Sequence, residues 1–406
     1  MRTMWRMFSL CLIGTLAACD RTSDSTAPET ISARGLELSK TAAATLTLSS
    51  LDVGVSHVCG LGLAGELYCW GDGYSPTPAR FVQNRTFTTV SAANLFTCGI
   101  TSSRATACWG TNAVGQLGNG TTTNSTRPTL VAGSVKFTSL GGSVDHSCAL
   151  SRIGAAYCWG SNLGGQLGTG SFFGPESCHG LACSTVPVAV VGGLTFTQVH
   201  GTDAHSCGLN NAAQAYCWGK NGYGQLGTGG FDDSASPVGV TGGLSFVDLD
   251  VGFGISCAVT GDGTPYCWGL DPNGEPCGPF FAKCTPTPYL VPGGFHFTSI
   301  AAGGYHFCGI TADQAAYCWG SNLWGNLGNG TTEDTDTPVP VSGGIAFASL
   351  SNNAENTCGV ATDGTAYCWG SNSSGQLGIG TTWGPDDCGP FGPCSKVPVA
   401  VLAPET

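Results

Sequence analysis

Charge is scarce in this chain. Only 10% of its 406 residues are Asp, Glu, Lys or Arg, against about 25% in an average soluble protein. Bases are scarcest: 14 Lys and Arg stand against 26 acids, a net charge of −12. There is no basic stripe, which excludes nucleic acid and anionic lipid as electrostatic partners. Helical periodicity is missing over any useful length, which excludes an α-rich fold. Beyond the first eighteen residues there is no long apolar run, so no later transmembrane helix is expected. The 64 glycines follow no Gly-X-Y period, which excludes collagen, and 41% hydrophobic content excludes a disordered chain. No Ser, His and Asp set and no paired acids stand out, so the chain reads as a non-enzyme without cofactor, an envelope hydrolase being the weaker alternative.

Cysteine is what the chain has in excess. Its 22 cysteines are far too many for a cytosolic protein without redox or metal duty and imply export to an oxidising compartment. The N-terminus agrees. Arg2 and Arg6 precede an apolar stretch over residues 7–18, of signal-peptide length. It ends in Leu16-Ala17-Ala18-Cys19, which resembles a bacterial lipobox, in which Cys19 is diacylated and becomes the mature N-terminus. Ordinary signal cleavage beside an incidental cysteine is the other reading. Asp20 resembles an inner-membrane retention signal of some bacteria. Loss of residues 1–18 leaves 26 acids against 12 bases, or −14. Residues 19–45 are rich in Ser, Thr, Ala and charge and read as a flexible tether from lipidated Cys19. The rest, residues 46–406, reads as one repeat domain.

Within it one phrase recurs seven times: a cysteine, nine residues, then Cys-Trp-Gly. The pairs are Cys59 and Cys69, Cys98 and Cys108, Cys148 and Cys158, Cys207 and Cys217, Cys257 and Cys267, Cys308 and Cys318, and Cys358 and Cys368. The tryptophans Trp70, Trp109, Trp159, Trp218, Trp268, Trp319 and Trp369 are spaced 39, 50, 59, 50, 51 and 50 residues apart, the mark of a repeat architecture. In the third unit, residues 136–140 read as a strand, Gly141-Gly142 as a turn, 146–150 and 155–159 as a hairpin, and 186–190 as a fourth strand. Four short strands per unit make a propeller blade.

Pairing the two cysteines of a hairpin opposite each other leaves a three-residue loop, whose third position favours a left-handed residue. That position is Gly65, Gly154, Gly263 and Gly364 in four units. Opposite residues on paired strands lie within disulfide range, so seven intra-blade disulfides are expected, buried free thiols being the alternative. The first unit has no preceding strand of the Val-Pro-Val-Ala type, and residues 397–402 supply one without a blade of their own. The C-terminal strand is therefore expected to complete the blade of Cys59 and Trp70 and so remove the open sheet edges.

The pattern His-x-Cys-x-Leu, then Ala-Tyr-Cys-Trp-Gly-x-Asn-x-x-Gly-Gln-Leu-Gly-x-Gly-Thr, is clearest over residues 146–170, 205–229 and 356–381. It resembles the repeat of the regulator of chromosome condensation family over roughly residues 46–403. The resemblance implies an all-β, seven-bladed β-propeller closed by strand exchange. The eukaryotic founder is a nuclear exchange factor for a small GTPase, so the resemblance offers a guanine-nucleotide-exchange-like regulator as an alternative function. None of the founder's functional residues matches a position here. Bacterial relatives include a secreted inhibitor of β-lactamases, which implies that one face of such a ring can hold a protein.

Three residue groups are candidates for chemistry. The glycine loops at 115–118, 165–168, 224–227, 325–328 and 375–378 lack the Lys-Ser/Thr and the helix of a phosphate loop and read as tight turns. His57, His146, His205 and His306 recur two residues before the first cysteine, where Phe96, Ile255 and Asn356 stand in the other units; a packing role fits this varied set better than a metal ring, and no metal is expected. Three inserts follow the third, fifth and seventh Trp-Gly, at residues 171–183, 271–284 and 381–394. Each has its own cysteine pair: Cys178 and Cys183, Cys277 and Cys284, Cys388 and Cys394. Their Phe172, Phe173, His179, Phe280, Phe281, Trp383 and Phe391 are the candidate partner contacts, because aromatics on rigid loops anchor a partner at small entropic cost. Stapled decorations with locally packed aromatics are the alternative. Thr362-Asp363-Gly364-Thr365 faintly resembles a sialidase aspartate box but is explained by the hairpin loop. The expectation is a monomeric, lipid-anchored scaffold on the bacterial cell envelope that binds a protein or glycan partner and touches the membrane only through its anchor.

Overall fold

A computed structural model describes residues 44–202, 204–277 and 282–404. Cys19 and the tether before residue 44, with Phe280 and Phe281, lie outside the described residues, as does the side chain of Cys277. The chain forms seven antiparallel sheets, each containing four strands in chain order, and no helix long and apolar enough to cross a membrane occurs among the described residues. In the third blade the strands are Phe137–Gly142, His146–Ser151, Ala156–Ser161 and Leu181–Ala189.

The hairpin register follows the cysteines. In all seven blades the two cysteines pair directly, as in Cys148 with Cys158, and the seven bridges have Cα–Cα distances of 4.0–4.2 Å. Gly65, Gly154, Gly263 and Gly364 are left-handed, with φ of 78–89°. The three units without glycine adopt the same conformation: Arg104, Ala213 and Gln314 have φ of 61–68°. The loop geometry is therefore imposed by the stapled hairpin even where the residue disfavours it.

The Gly141-Gly142 pair departs from the sequence reading. It is not a turn but the end of the first strand, with Gly141 opposite Cys148 and Gly142 opposite Ser147. Seven first strands crowd around the axis there. A Cβ on Gly141 would stand 2.5 Å from the Val199 carbonyl oxygen of the next blade.

The ring closure also departs from expectation. The C-terminal strand, Pro393–Ala400, pairs with Ala366–Ser371 and completes the seventh blade, not the first. The first blade has its own fourth strand, the two-residue Ala79–Arg80, whose shortness and exposure hid it from the sequence pattern. Closure comes from the residues before the first blade. Thr45 bridges to Leu402 and Thr47 to Thr365, repeating the link between Ala155 and Thr195. Leu46 N–H donates to the Val401 carbonyl, and Leu48 packs on Gly60 as Phe87 packs on Gly99 in the next blade.

The core lies between blades rather than at the axis. There are seven buried clusters, one per junction, each joining one blade's cystine to the next blade's tryptophan and the Phe or Leu at or just before the start of its first strand. The inserts extend the sheets outward. Glu176–Cys178 and Asp386–Asp387 add a fifth strand to blades three and seven, while in blade five Pro265–Cys277 and Ala282–Leu290 run on as one long hairpin. Cys178–Cys183 and Cys388–Cys394 are bridged, and Cys284 is disulfide-bonded.

Candidate functional site

Every insert leaves the third strand of its blade, so all three emerge at one end of the ring. That end also carries the turns between first and second strands. The bases of the inserts in blades three and seven are each held by a buried asparagine. Asn372 Nδ2 donates to the carbonyls of Thr381 and Trp383, each at 2.9 Å, and its Oδ1 accepts the Leu377 N–H at 3.0 Å. Asn162 holds Ser171 and Leu167 in the same way. The backbone at the base of these two inserts is thus fixed.

The candidate contacts divide in two. Phe172 folds back over Gly165, and Phe391 meets Trp324 of blade six edge to face at 5.4 Å. Phe173 and Trp383 stand out, 83% and 76% exposed. His179 is exposed at the tip of its hairpin, with φ of 52°. The sequence reading missed a second aromatic group on this end: Tyr223, Phe253 and Tyr305 form an arc across blades four to six, with ring centroids 6.4 and 5.5 Å apart. These rings come from turns outside the inserts, at positions with no fixed offset from the cysteines.

The arc borders an axial channel of about 510 Å³. Around it, a side chain seven residues before the first cysteine of one blade captures a backbone N–H of the next. Asp52 accepts from Ala92 at 2.9 Å, Ser91 from Gly142 at 2.9 Å, Asp250 from Ala302 at 2.9 Å and Ser351 from Val53 at 3.1 Å. Burial raises the Asp52 and Asp248 carboxyls above their usual range, against the hydrogen bonds that hold them down. Burial works against charging His200, but Asp250 at 3.1 Å, with Asp248 and Asp52 beyond, carries the imidazole above its ordinary value. These acids serve as acceptors for backbone amides that would otherwise be orphaned at the axis.

The four recurrent histidines are not a ring of metal ligands. Each reaches the next blade: Nε2 of His57, His146, His205 and His306 lies 2.7–3.0 Å from the hydroxyl of Thr97, Ser206, Ser256 and Thr357. Burial lowers His57 to about 4 and His205 and His306 to about 3, so they are neutral. Among the described residues the one clustered ligand set is Glu176, Cys178 and Cys183. Its two sulfurs are joined to each other, so they offer no thiolate and the set does not fit a metal. Asp262 and Asp363 cap exposed hairpin loops, with Thr264 and Thr365 N–H donating to them, which makes them turn residues rather than part of a catalytic box.

Comparison with known proteins agrees with this architecture. Two models of the regulator of chromosome condensation (RCC1) repeat match, one over residues 137–166, 297–323 and 350–376, the other over 108–150, 213–259 and 313–351. Human WBSCR16 superposes with a TM-score of 0.67 at 18% identity, covering 77% of this chain and 86% of that one. Prp20p of Saccharomyces cerevisiae, described for its binding to Gsp1p and histones, gives 0.67 at 19% identity, covering 84% and 87%. The ectodomain of the Physcomitrella patens receptor kinase CR4 gives 0.54 at 20% identity, covering 80% and 74%. No curated protein sequence is significantly similar.

Proposed function

The chain belongs to the regulator of chromosome condensation repeat family, and from that premise we propose that it is a lipid-anchored scaffold of the bacterial cell envelope. It holds a protein partner on the end of the ring that carries the inserts. The observation that carries this reading is the set of outward aromatics on asparagine-pinned loops, led by Phe173 and Trp383. A rigid exposed aromatic loses little freedom when a partner covers it. Nine cystines among the described residues support an oxidising compartment. The sequence Leu16-Ala17-Ala18-Cys19 supports the anchor, with Cys19 as the acylated residue.

A crosslinking pull-down from native envelope tests the reading, using the mature chain and a version with the inserts of blades three and seven cut to tight turns. A partner held by the first and lost by the second supports the insert end as the binding face. Equal capture moves the site elsewhere on the ring, and glycan alone on the bait makes the partner a glycan. An exchange-factor function rests on family membership and needs a cytosolic address, so diacylation found at Cys19 by mass spectrometry removes it.

A further inference from the structure

The blade junctions are built on a polar clasp, kept whole at some and in part at others, and at one junction only its tryptophan remains. At the junction of blades three and four, His146 Nε2 lies 2.8 Å from Ser206 Oγ, which donates to the Gln166 carbonyl at 3.0 Å. The same carbonyl accepts Trp218 Nε1 at 2.9 Å. The next residue, Leu167, is fully buried as a plug between the blades. Leu117, Leu226, Leu327 and Leu377 plug four other junctions in the same way. Between blades one and two, Tyr74 and Phe81 take the place of the plug, and Tyr74 accepts Trp109 Nε1.

Between blades five and six every member except the tryptophan is replaced. Ile255 stands where the histidine would be and Phe307 where the hydroxyl would be. The glycine turn with its carbonyl and leucine is gone, because the strand Pro265–Cys277 runs straight through that position. Among the described residues neither Trp319 nor Trp268 has an acceptor for its Nε1–H, whereas the other five repeat tryptophans donate from Nε1. Other junctions lose single members and keep the rest: Phe96 stands for the histidine between blades two and three, and Val58 for the hydroxyl between blades seven and one, where Trp70 still donates to the Gln376 carbonyl. What remains between blades five and six is an apolar recess of about 420 Å³ lined by Ile255, Leu270, Val291, Phe307 and Trp319, opening beside Phe253 and Tyr305 of the aromatic arc. Among the described residues its polar wall is Asp271, Asp334 and Asp336, with Lys283. Thr285 Oγ1 donates to Asp271 at 2.6 Å, and Asn322 N–H to Asp334 at 2.7 Å.

We propose that this junction is a binding site for a small organic cation with an aromatic or branched apolar body. The apolar floor and the volume suit such a body, since ligand pockets of about 300–1,000 Å³ are mostly apolar with a few placed polar groups. Among the described residues, three carboxylates against one ammonium select a positive charge and reject a negative one. A cation between aromatic faces and carboxylates gains from both. The site is independent of the protein partner proposed above and stands or falls without it.

The test is 19F NMR on the full mature, oxidised chain with three probes of one shape: 4-fluorophenethylammonium, its neutral alcohol and the anionic 4-fluorophenylpropionate. The ammonium should bind, about fivefold or more tighter than the alcohol, and the anion should show no line broadening. Asp334→Asn with Asp336→Asn, both on exposed residues, should erase the preference for the cation and leave the alcohol unchanged. Leu270→Trp should fill the recess and abolish binding of both. Equal binding of all three probes, no binding of any, or cation binding untouched by the aspartate pair would overturn the proposal. So would binding that emerges only in Phe280→Ala with Phe281→Ala, which would assign the recess to the chain's own insert.

Discussion

The junction of blades three and four and the junction of blades five and six come from the same repeat but hold together by different chemistry. The first is polar at its centre: an imidazole, a hydroxyl, a carbonyl and an indole N–H satisfy one another around a buried leucine. The second has an apolar centre, with Phe297 and Phe307 packed on Trp319 at centroid distances of 5.7 and 5.8 Å, and its hydrogen bonds between blades run instead through Asp248 and Asp250 at the channel. A buried hydrogen-bonded network is favourable when complete and costly when partial. The repeat varies in how much of the clasp a junction keeps, and the junction of blades five and six, which keeps only the tryptophan, gains a recess.

The sharpest way to break this contrast is to remove a plug. Leu167→Ala should open a cavity between blades three and four and cost about 2–5 kcal/mol, read as a fall in the denaturant midpoint with the slope unchanged. A loss below about 0.5 kcal/mol would mean that the leucine is not what separates a closed junction from the open one. Reducing one staple is comparable in size. Cys207→Ser with Cys217→Ser should cost about 3 kcal/mol for a loop of this length, and the same pair at Cys308 and Cys318 should cost as much, because the cystines are common to both kinds of junction.

The hairpins were legible in advance because their evidence is local: cysteine spacing sets the register, and Gly154 and its equivalents mark the turn. The junctions were not. His146 and Ser206 are sixty residues apart, and a histidine two residues before a cysteine shows no preference for a partner until the ring places the next blade beside it. The channel acceptors are the same kind of feature. Asp52, Ser91, Asp250 and Ser351 share an offset of seven from their cysteines, a signal that could have been found, but their targets are backbone amides of another blade. The closure was misread because Ala79–Arg80 carries no strand pattern, so the C-terminal strand looked unpaired. Of the insert aromatics, sequence could nominate but not sort them: Phe391 packs on Trp324, from the loop of another blade.

Acid should discriminate between the junctions next. The unfolded chain protonates these imidazoles near their ordinary value of 6.5, whereas the fold keeps His57 neutral to about pH 4 and His205 and His306 to about pH 3. The unfolded state then binds more protons throughout that window, so stability is lost as pH falls below 6.5. Each contributes a loss of about 2 kcal/mol by pH 5. His205→Gln should lose about 2 kcal/mol less than the parent chain between pH 6.5 and pH 5, a difference in which the raised Asp52 and Asp248 cancel. His200 works in the opposite sense, stabilising below pH 6.5 and losing that as pH rises through its raised value, but it is 35% exposed to the channel and its share is small. An unchanged slope in His205→Gln would mean that the imidazole takes up its proton in the folded ring.

Removing the hydroxyl tests the clasp without touching charge. Ser206→Ala leaves His146 Nε2 unpaired and should cost about 1–2 kcal/mol. Ser206→Thr should restore most of it, since Thr97 and Thr357 hold the same position in other blades.

The smallest effect on stability should come from the residues that matter most to the proposed binding. Trp383 and Phe173 contact solvent, and the backbone that carries Trp383 is tied down by Asn372 and by the Thr381 hydroxyl, which accepts the Trp383 N–H at 3.0 Å. Truncating either ring removes no buried contact, so Trp383→Ala and Phe173→Ala should each stay within about 0.5 kcal/mol of the parent chain. Interface anchors are drawn from Trp and its kin, and truncating one commonly costs about 2 kcal/mol or more of binding. Partner retention in the envelope pull-down should therefore fall by about thirtyfold while the melting curve does not move. A melting curve that falls with retention would make the two rings structural, and retention that stays with an unmoved curve would hand the contact to the arc of Tyr223, Phe253 and Tyr305, which belongs to the blades and not to their inserts.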